Sequence, residues 1–393
     1  MYTCKNVNGL KPAELLEKIA NVCDQGLYPV NIAEEMKNLM KNAEGSTPAV
    51  VCGLNNGDCG KALLILLRED AESVLDGIAA AAFALGSSTA VLYLPEGEEA
   101  LAESLAGAAT ARGIQIETGI INARATENDL KLHIAGALDI AKALAGTYEA
   151  GRYIVVADGV EKYPNDTKLS DIVELSSAKA VYTAYRFYRA AEAAELTAEA
   201  VTDGCIQVVT DKECIVDLTY RKLMNYRKVS CGRCVFCREG LIQLAYEQKE
   251  ITESRGKADF RELTGEIGEA MCSETLCSLG HEAAKAAMSA FEEFAEEFTD
   301  HIKNHKCPAG VCNSFSHIYI NPHTCTGCEE CADVCPQDCI EGKKGFIHMI
   351  DEFDCTQCGK CVEACEEDAI VITSDKLPKL PDRLTKVGRF KKH

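Results

Sequence analysis

Apolar and polar positions alternate between two periods along the first third of the chain. Residues 12–22 and 32–42 carry apolar side chains at helical spacing. Residues 49–54 form a short continuous apolar run, which predicts a buried strand. An alanine-rich helix over 69–85 follows, then a strand at 90–94 and a helix over 98–111. A strand at 114–117 and a helix over 128–144 complete the series. Strand–helix alternation of this kind predicts an α/β layer spanning residues 1–149.

The pattern changes near residue 150. Residues 153–156 and 179–182 read as strands, and 167–175 as a short helix capped by Thr167. These suggest a small β-grasp-like module with its linker over 150–200. Strand-like pieces at 206–209 and 214–217 open the next segment, which is helical to about 303. A segment at 307–323 leads into a cysteine-rich module that ends near 373. Pro378 and Pro381 mark an irregular tail. The expected domains are thus 1–149, 150–200, 201–306 and 307–375, with a tail at 376–393.

Cysteine changes this picture most, because the chain has 22 of them. Cys325-x2-Cys328-x2-Cys331-x3-Cys335-Pro336 is repeated as Cys355-x2-Cys358-x2-Cys361-x3-Cys365. This is the spacing of a two-cluster ferredoxin, in which the fourth cysteine of each run ligates the other run's cluster. Cys325, Cys328, Cys331 and Cys365 are therefore expected to hold one [4Fe–4S] cluster. Cys335, Cys355, Cys358 and Cys361 are expected to hold another. Zinc or free thiols are the bland alternative, which two tandem copies argue against.

Cys231, Cys234 and Cys237 offer three more thiolates on one turn. A fourth ligand is required, and spacing alone leaves Cys272 and Cys277 open. Cys307 and Cys312 lie between the two cluster regions, Cys339 follows the first ferredoxin run, and His348 lies between the runs. Three thiolates and one imidazole make a closed tetrahedral zinc site, so Cys307, Cys312, Cys339 and His348 are the expected zinc ligands. Cys4, Cys23, Cys52, Cys59, Cys205 and Cys214 read as ordinary small residues. His281, His301 and His305 read as helical positions facing solvent or core.

Charge and hydropathy exclude some functions. The formal charge of -20 argues against nucleic-acid binding. The basic stretch 386–393 reads as a solvated or docking tail. No apolar run reaches 18 residues, so no membrane span is expected. The opening residues lack the pattern of a signal peptide, and so many cysteines in a long chain point to metals rather than disulfides. A cytoplasmic, reducing and anaerobic setting is the expectation.

The stretch from Ser230 to Gly240 resembles the cluster motif of the NADH-binding flavoprotein subunit of respiratory complex I and of its relatives in formate dehydrogenases and electron-bifurcating hydrogenases. In that family the fourth ligand lies in a Leu-Cys-x-Leu-Gly context, matched here by Leu276-Cys277-Ser278-Leu279-Gly280. The resemblance thus implies Cys231, Cys234, Cys237 and Cys277 as a third [4Fe–4S] set. Ile215-Val216-Asp217-Leu218 and Lys306–Cys312 also match. The resemblance covers about 201–373 and suits the hydrogenase-type β subunit with its C-terminal ferredoxin module. It also implies a zinc hinge at Cys307, Cys312, Cys339 and His348, and a β-grasp identity for the 150–188 piece.

The same resemblance exposes a departure. The family holds FMN with a glycine-rich loop near its N-terminus, whereas Gly9, Gly26 and Gly45 stand isolated here. The acidic flavin- and nicotinamide-contacting segment is reduced to Leu54-Asn55-Asn56-Gly57-Asp58-Cys59-Gly60-Lys61. Asn122–Glu127 replaces a further Gly-Glu-Glu-Thr-Ala motif. Gly53, Gly57 and Gly60 read more simply as turn residues than as a phosphate cradle.

The expected fold is therefore α/β plus α: an eroded Rossmann-like flavoprotein domain, a β-grasp module, a helical [4Fe–4S] domain and a ferredoxin-like domain. The expected function is electron relay within an oxidoreductase complex, with three [4Fe–4S] clusters, a structural zinc and no flavin of its own. The resemblance implies as partners a thioredoxin-like iron–sulfur subunit, a catalytic flavin or metal oxidoreductase subunit, and soluble ferredoxin. The alternatives are a complete NADH-oxidising FMN protein and a structural cluster-bearing adaptor. No nucleophile, general base or triad stands out, so no catalytic residue is expected.

Overall fold

Four parallel strands organise the N-terminal layer. In the computed structural model, residues 9–26, 30–43, 46–121, 128–156, 159–373 and 377–391 are described. Helices α1 (Pro12–Lys18) and α2 (Ile32–Asn42) precede β1 (Val50–Gly53), α3 (Leu64–Glu69), α4 (Ala71–Leu85), β2 (Ala90–Leu94), α5 (Glu99–Ala111), β3 (Gln115–Thr118), β4 (Leu130–His133) and α6 (Ile134–Ala145). The sheet order is β3-β2-β1-β4, all parallel. The chain steps one way from β1 to β3 and then crosses to the other side of β1. That reversal opens a crevice beyond the strand ends, where doubly wound folds bind ligands.

Local chemistry explains the elements. Asp70 accepts a hydrogen bond from the Ser73 N–H and starts α4, and Gly86 ends it in the left-handed conformation at φ +63. A side chain at Gly77 would overlap the Ala137 backbone. Glycine there lets α4 and α6 pack closely over the sheet. The residues 128–144, expected as one helix, divide into β4 and α6. The alternating Leu130-Lys131-Leu132 pairs with β1, and helix starts directly at Ile134 with His133 as its cap.

Two hairpin systems follow. β5 (Arg152–Val156) pairs with β6 (Gly159–Tyr163), and β7 (Ala178–Thr183) with β8 (Arg186–Arg189). β9 (Gln207–Thr210) pairs with β7, so the strand expected to open the next domain belongs to this sheet. The helix expected at 167–175 is a single tight turn, Leu169–Asp171. The short α7 (Ala190–Ala193) leads on to α8 (Ile215–Val229), α9 (Val235–Thr252), α10 (Phe260–Glu274), α11 (Ser278–Glu293) and α12 (Ala295–Ile302). The strand expected at 214–217 is the first turn of α8, where the Glu297 carboxylate accepts the Ile215 N–H at 2.7 Å. Its β-branched pair imitated a strand.

The chain divides into two units, residues 1–211 with 219–246 and 261–294, and residues 212–218 with 247–260 and 295–393. The second contains β10 (His317–Ile320), α13 (Glu330–Asp333), β11 (Ile340–Glu341), β12 (Met349–Ile350), α14 (Lys360–Ala364) and β13 (Ile370–Thr373). β10 pairs with β13 and β11 with β12, both antiparallel. The basic tail, expected to be solvated or docking, packs within this unit. Thr385 accepts the Ile347 N–H at 2.9 Å, and the Phe390 ring lies 5.7 Å from that of His323. Cys4, Gly45, the 122–127 segment and the last two residues lie outside the described residues.

Candidate metal centres

The first cysteine set is built by a helix end, a tight loop and a helix start. α8 ends at Val229, and Gly232 takes φ +67, a conformation that suits glycine. The Gly232 N–H donates to Ser230 Oγ at 3.3 Å, and the Arg238 guanidinium donates to the Gly232 carbonyl at 3.1 Å. This latch presents Cys231 and Cys234 before α9, which carries Cys237. Cys277 caps α11.

Burial pushes the Cys237 thiol up to about 11, against a hydrogen bond from Ser230. The nearby Cys277, Cys234 and Cys231 thiols push the same way. Cys231, Cys234 and Cys277 thus all lie near Cys237. Cys272 has Lys285 and Glu269 as its charged neighbours instead. Burial also raises the Cys277 thiol, opposed by hydrogen bonds from the Leu279 N–H and the Asn56 side chain. Such N–H contacts are those that tune a cluster's sulfur ligands.

In the ferredoxin-like module, one small cavity is lined by Cys325, Cys328, Cys331 and Cys365. Gly327 takes φ +73 between the first two cysteines, and a side chain there would overlap the Phe346 backbone. On the other side, burial raises the Cys361 thiol, and the nearby Cys355 and Cys358 thiols act in the same direction. Cys335 lies 3.5 Å from Cys339, which in turn interacts with Cys355. Cys339, expected at the zinc, therefore sits among these thiols.

Cys307 and Cys312 meet different partners from those expected. The ligand atoms of Cys214, His301, Cys307 and Cys312 all lie within 4.8 Å of one another, and all four residues are buried. Cys312 Sγ is 3.6 Å from Cys214 Sγ, which is 3.3 Å from His301 Nε2. A tetrahedral zinc with Zn–S bonds of about 2.3 Å has ligand–ligand edges of about 3.8 Å, so these separations suit it. His301 Nδ1 is 2.7 Å from the Glu297 carbonyl, which can only accept. The proton therefore sits on Nδ1 and leaves the Nε2 lone pair for a metal. Hydrogen bonds from Cys214 and Cys312 hold the Cys307 thiol well below the usual thiol range. The donor set fits a closed Cys3His site. His348 instead lines the cavity of the first ferredoxin quartet.

A crevice of about 410 Å³ opens at the β1 and β4 strand ends, lined among others by Asp24, Gly53, Asn56, His133 and Cys277. Asp24 is 6% exposed and accepts the His133 N–H at 2.9 Å and the Gln25 N–H at 2.9 Å. It lies so close to the first turn of α6 that a side chain at Gly136 would overlap its carboxylate. Burial raises its carboxyl group, opposed by His133. The next first-turn amide, Ala135 N–H, is taken by His133 Nδ1 at 3.1 Å. Helix N-termini are where phosphates are usually held. Here a buried carboxylate already stands there, and Glu35 and Asp129 add acid to the same wall.

A second cavity, about 280 Å³, is lined by Asp58, Asp203, Lys222 and three tyrosines. Asp203 accepts the Ala184 N–H at 3.1 Å and the Cys205 N–H at 3.2 Å. Burial, with Asp58 nearby, pushes its carboxyl up to about 6. Burial pulls Lys222 down to about 8.

Residues 217–301 match the NADH-ubiquinone oxidoreductase-F iron-sulfur binding region, and residues 317–369 match a 4Fe-4S dicluster domain. The NADP-reducing hydrogenase subunit HndC of Solidesulfovibrio fructosivorans is 34% identical over 142 residues, covering 36% of this chain and 29% of that protein. The NADH-quinone oxidoreductase F 2 subunit of Rhizobium meliloti (strain 1021) is 31% identical over 103 residues, covering 26% and 24%. The iron–sulfur regions of this chain are thus similar to those of 51 kDa-type subunits. Its matches span less than a third of those curated relatives' own length.

Crystal structures of the NAD+-reducing [NiFe]-hydrogenase in its H2-reduced and air-oxidized states share the fold with this chain, each at TM-score 0.61 and 18% identity. The H2-reduced structure covers 76% of this chain and 64% of its own. The chain carries iron–sulfur-binding domains related to those of NADH dehydrogenase and hydrogenase subunits. Among the described residues no helix is long and apolar enough to cross a membrane.

Proposed function

We propose that the chain is an electron-relay subunit of a larger oxidoreductase, carrying three [4Fe–4S] clusters and one structural zinc but no flavin. The observation that carries this reading is the cysteine grouping: one set of four lines a single cavity, and the members of the other two sets lie near one another, as cubane ligands do. The residues of the crevice beside Cys277 do not fit FMN. Asp24 stands at the helix N-terminus that a phosphate needs, and Glu35 and Asp129 add acid to a lining whose basic residues are Lys131, His133 and His281. The crevice's size favours the competing reading, a complete NADH-oxidising flavoprotein.

Exposed surroundings of the first cysteine set support a partner redox subunit. Arg227, Lys228, Arg233 and Arg238 are exposed there in a chain of formal charge -20. Val235 and Phe236 are exposed by 58% and 47% beside them. Anaerobic quantification of iron, sulfide, zinc and released flavin tests the proposal. About twelve irons, about one zinc and no flavin are expected. Stoichiometric FMN would restore the flavoprotein reading, and iron near eight would remove a cluster. Clusters that assemble but exchange no electrons with an added carrier would leave only an adaptor.

A further inference from the structure

His348 is 1% exposed, and neither of its ring nitrogens has a hydrogen-bond partner among the described residues. It is the last residue of the β11–β12 loop, immediately before Met349 of β12. The loop is pinned by the Ile347 N–H to the Thr385 carbonyl. The imidazole presses on Gly342, where a side chain would overlap the ring. Its position is therefore fixed from both sides.

An imidazole carries at least one N–H in either charge state. A buried donor left unmade is costly, and native folds rarely keep one without a reason. The cavity that His348 lines is also the one enclosed by Cys325, Cys328, Cys331 and Cys365. His348 thus borders the same space as these four thiols. Four thiolates complete a [4Fe–4S] coordination set without any imidazole.

We infer that His348 donates an N–H···S hydrogen bond to the cluster held by Cys325, Cys328, Cys331 and Cys365, and thereby raises its reduction potential. The inference rests on the cluster assignment in the relay reading. One-electron reduction adds negative charge to the cluster. A fixed donor aimed at its sulfur stabilises the reduced form more than the oxidised one. His348 is a positioning residue, not a ligand.

The test uses the anaerobically purified full chain as wild type, His348→Phe and His348→Gln, with iron and zinc counted on every sample. Redox titration followed by EPR reads the potentials. In His348→Phe, the reduced-to-oxidised ratio of one ferredoxin-type cluster at fixed potential is expected to fall tenfold, equal to 59 mV for one electron. His348→Gln keeps an N–H donor and should recover part of that loss. Wild type with ¹⁵N-labelled histidine should show a weak nitrogen coupling to the reduced cluster in pulsed EPR. This second readout needs no variant to fold.

An unshifted potential with full iron, or no nitrogen coupling in wild type, would overturn the inference. So would a coupling as large as that of a directly bound nitrogen, which would make His348 a ligand. Loss of zinc with iron retained in His348→Phe would return the residue to a zinc site. Wild-type iron near eight rather than about twelve would instead sink the relay reading from which this one starts.

Discussion

His301 Nε2 lies 3.3 Å from the thiol of Cys214, a residue 87 positions earlier in the chain. Together with Cys307 and Cys312 they form the only cluster of potential metal-ligand atoms this tight among the described residues. Cys214→Ser or His301→Ala is therefore expected to take zinc from about one equivalent to near zero while about twelve irons remain. Cys339→Ser should keep its zinc. Elemental analysis of the purified variants reads both outcomes, and zinc retained in Cys214→Ser would sink the assignment.

Cys277 and Cys272 can be separated in the same way. Cys277 lies near the Cys237 thiol, whereas Cys272 lies near Lys285 and Glu269. Cys277→Ser should lose or convert the first cluster, removing up to about four irons, whereas Cys272→Ser should lose none. The reverse pattern would move the fourth ligand onto α10.

Much of this was legible in residue order, and the failures have physical causes. The close cysteine triplet of each ferredoxin run follows from short spacing because those residues are local, and the tandem repeat points to the more distant fourth. β1 and β2 were legible because buried parallel strands are continuous apolar runs. β4 was hidden because no loop separates His133 from Ile134. Cys214 and His301 were missed because tertiary packing, not spacing, brings them together. The one available signal was His301 six residues before Cys307, itself five before Cys312. Asp24 gave no signal, since its role depends on where the α6 N-terminus falls.

Asp203 should leave a mark on stability against pH. Its folded-state pKa of about 6 lies above the ordinary value of 3.8, so the fold favours the protonated form. The stability this contributes is full below about pH 4 and is lost as pH rises through about 6. The shift of about two units corresponds to at most about 3 kcal/mol. Asp203→Asn keeps an oxygen to accept the Ala184 and Cys205 N–H groups. It should raise the unfolding midpoint at pH 8 and change it little at pH 4. Equal effects at both pH values would show that the carboxyl group titrates normally.

The crevice gives a ligand prediction. FMN titrated into the anaerobic wild-type chain should show no saturable fluorescence quenching, because the Asp24 carboxylate meets the phosphate's charge at the head of α6. Asp24→Asn removes that charge and keeps an acceptor for the His133 N–H. It should bind FMN measurably better than riboflavin, which has no phosphate. Equal affinity for the two flavins in Asp24→Asn would mean that the helix terminus is not the seat that excludes phosphate.

The tail is expected to act through the loop it holds. Thr385 fixes Ile347, Val387 donates its N–H to the Gly345 carbonyl at 3.2 Å, and Phe390 packs on the ferredoxin core. Gly345 in turn donates to the Gly327 carbonyl at 3.0 Å, inside the first ferredoxin cysteine run. Deleting residues 377–393 removes these two hydrogen bonds and one half-buried ring, a loss of about 2–4 kcal/mol. The Cys325-containing cluster should then bleach faster in air than the first cluster does, followed by its visible absorbance and EPR signal. Equal bleaching of both in the truncated chain would show that the tail does not guard this site, because a general loss of fold exposes every cluster alike.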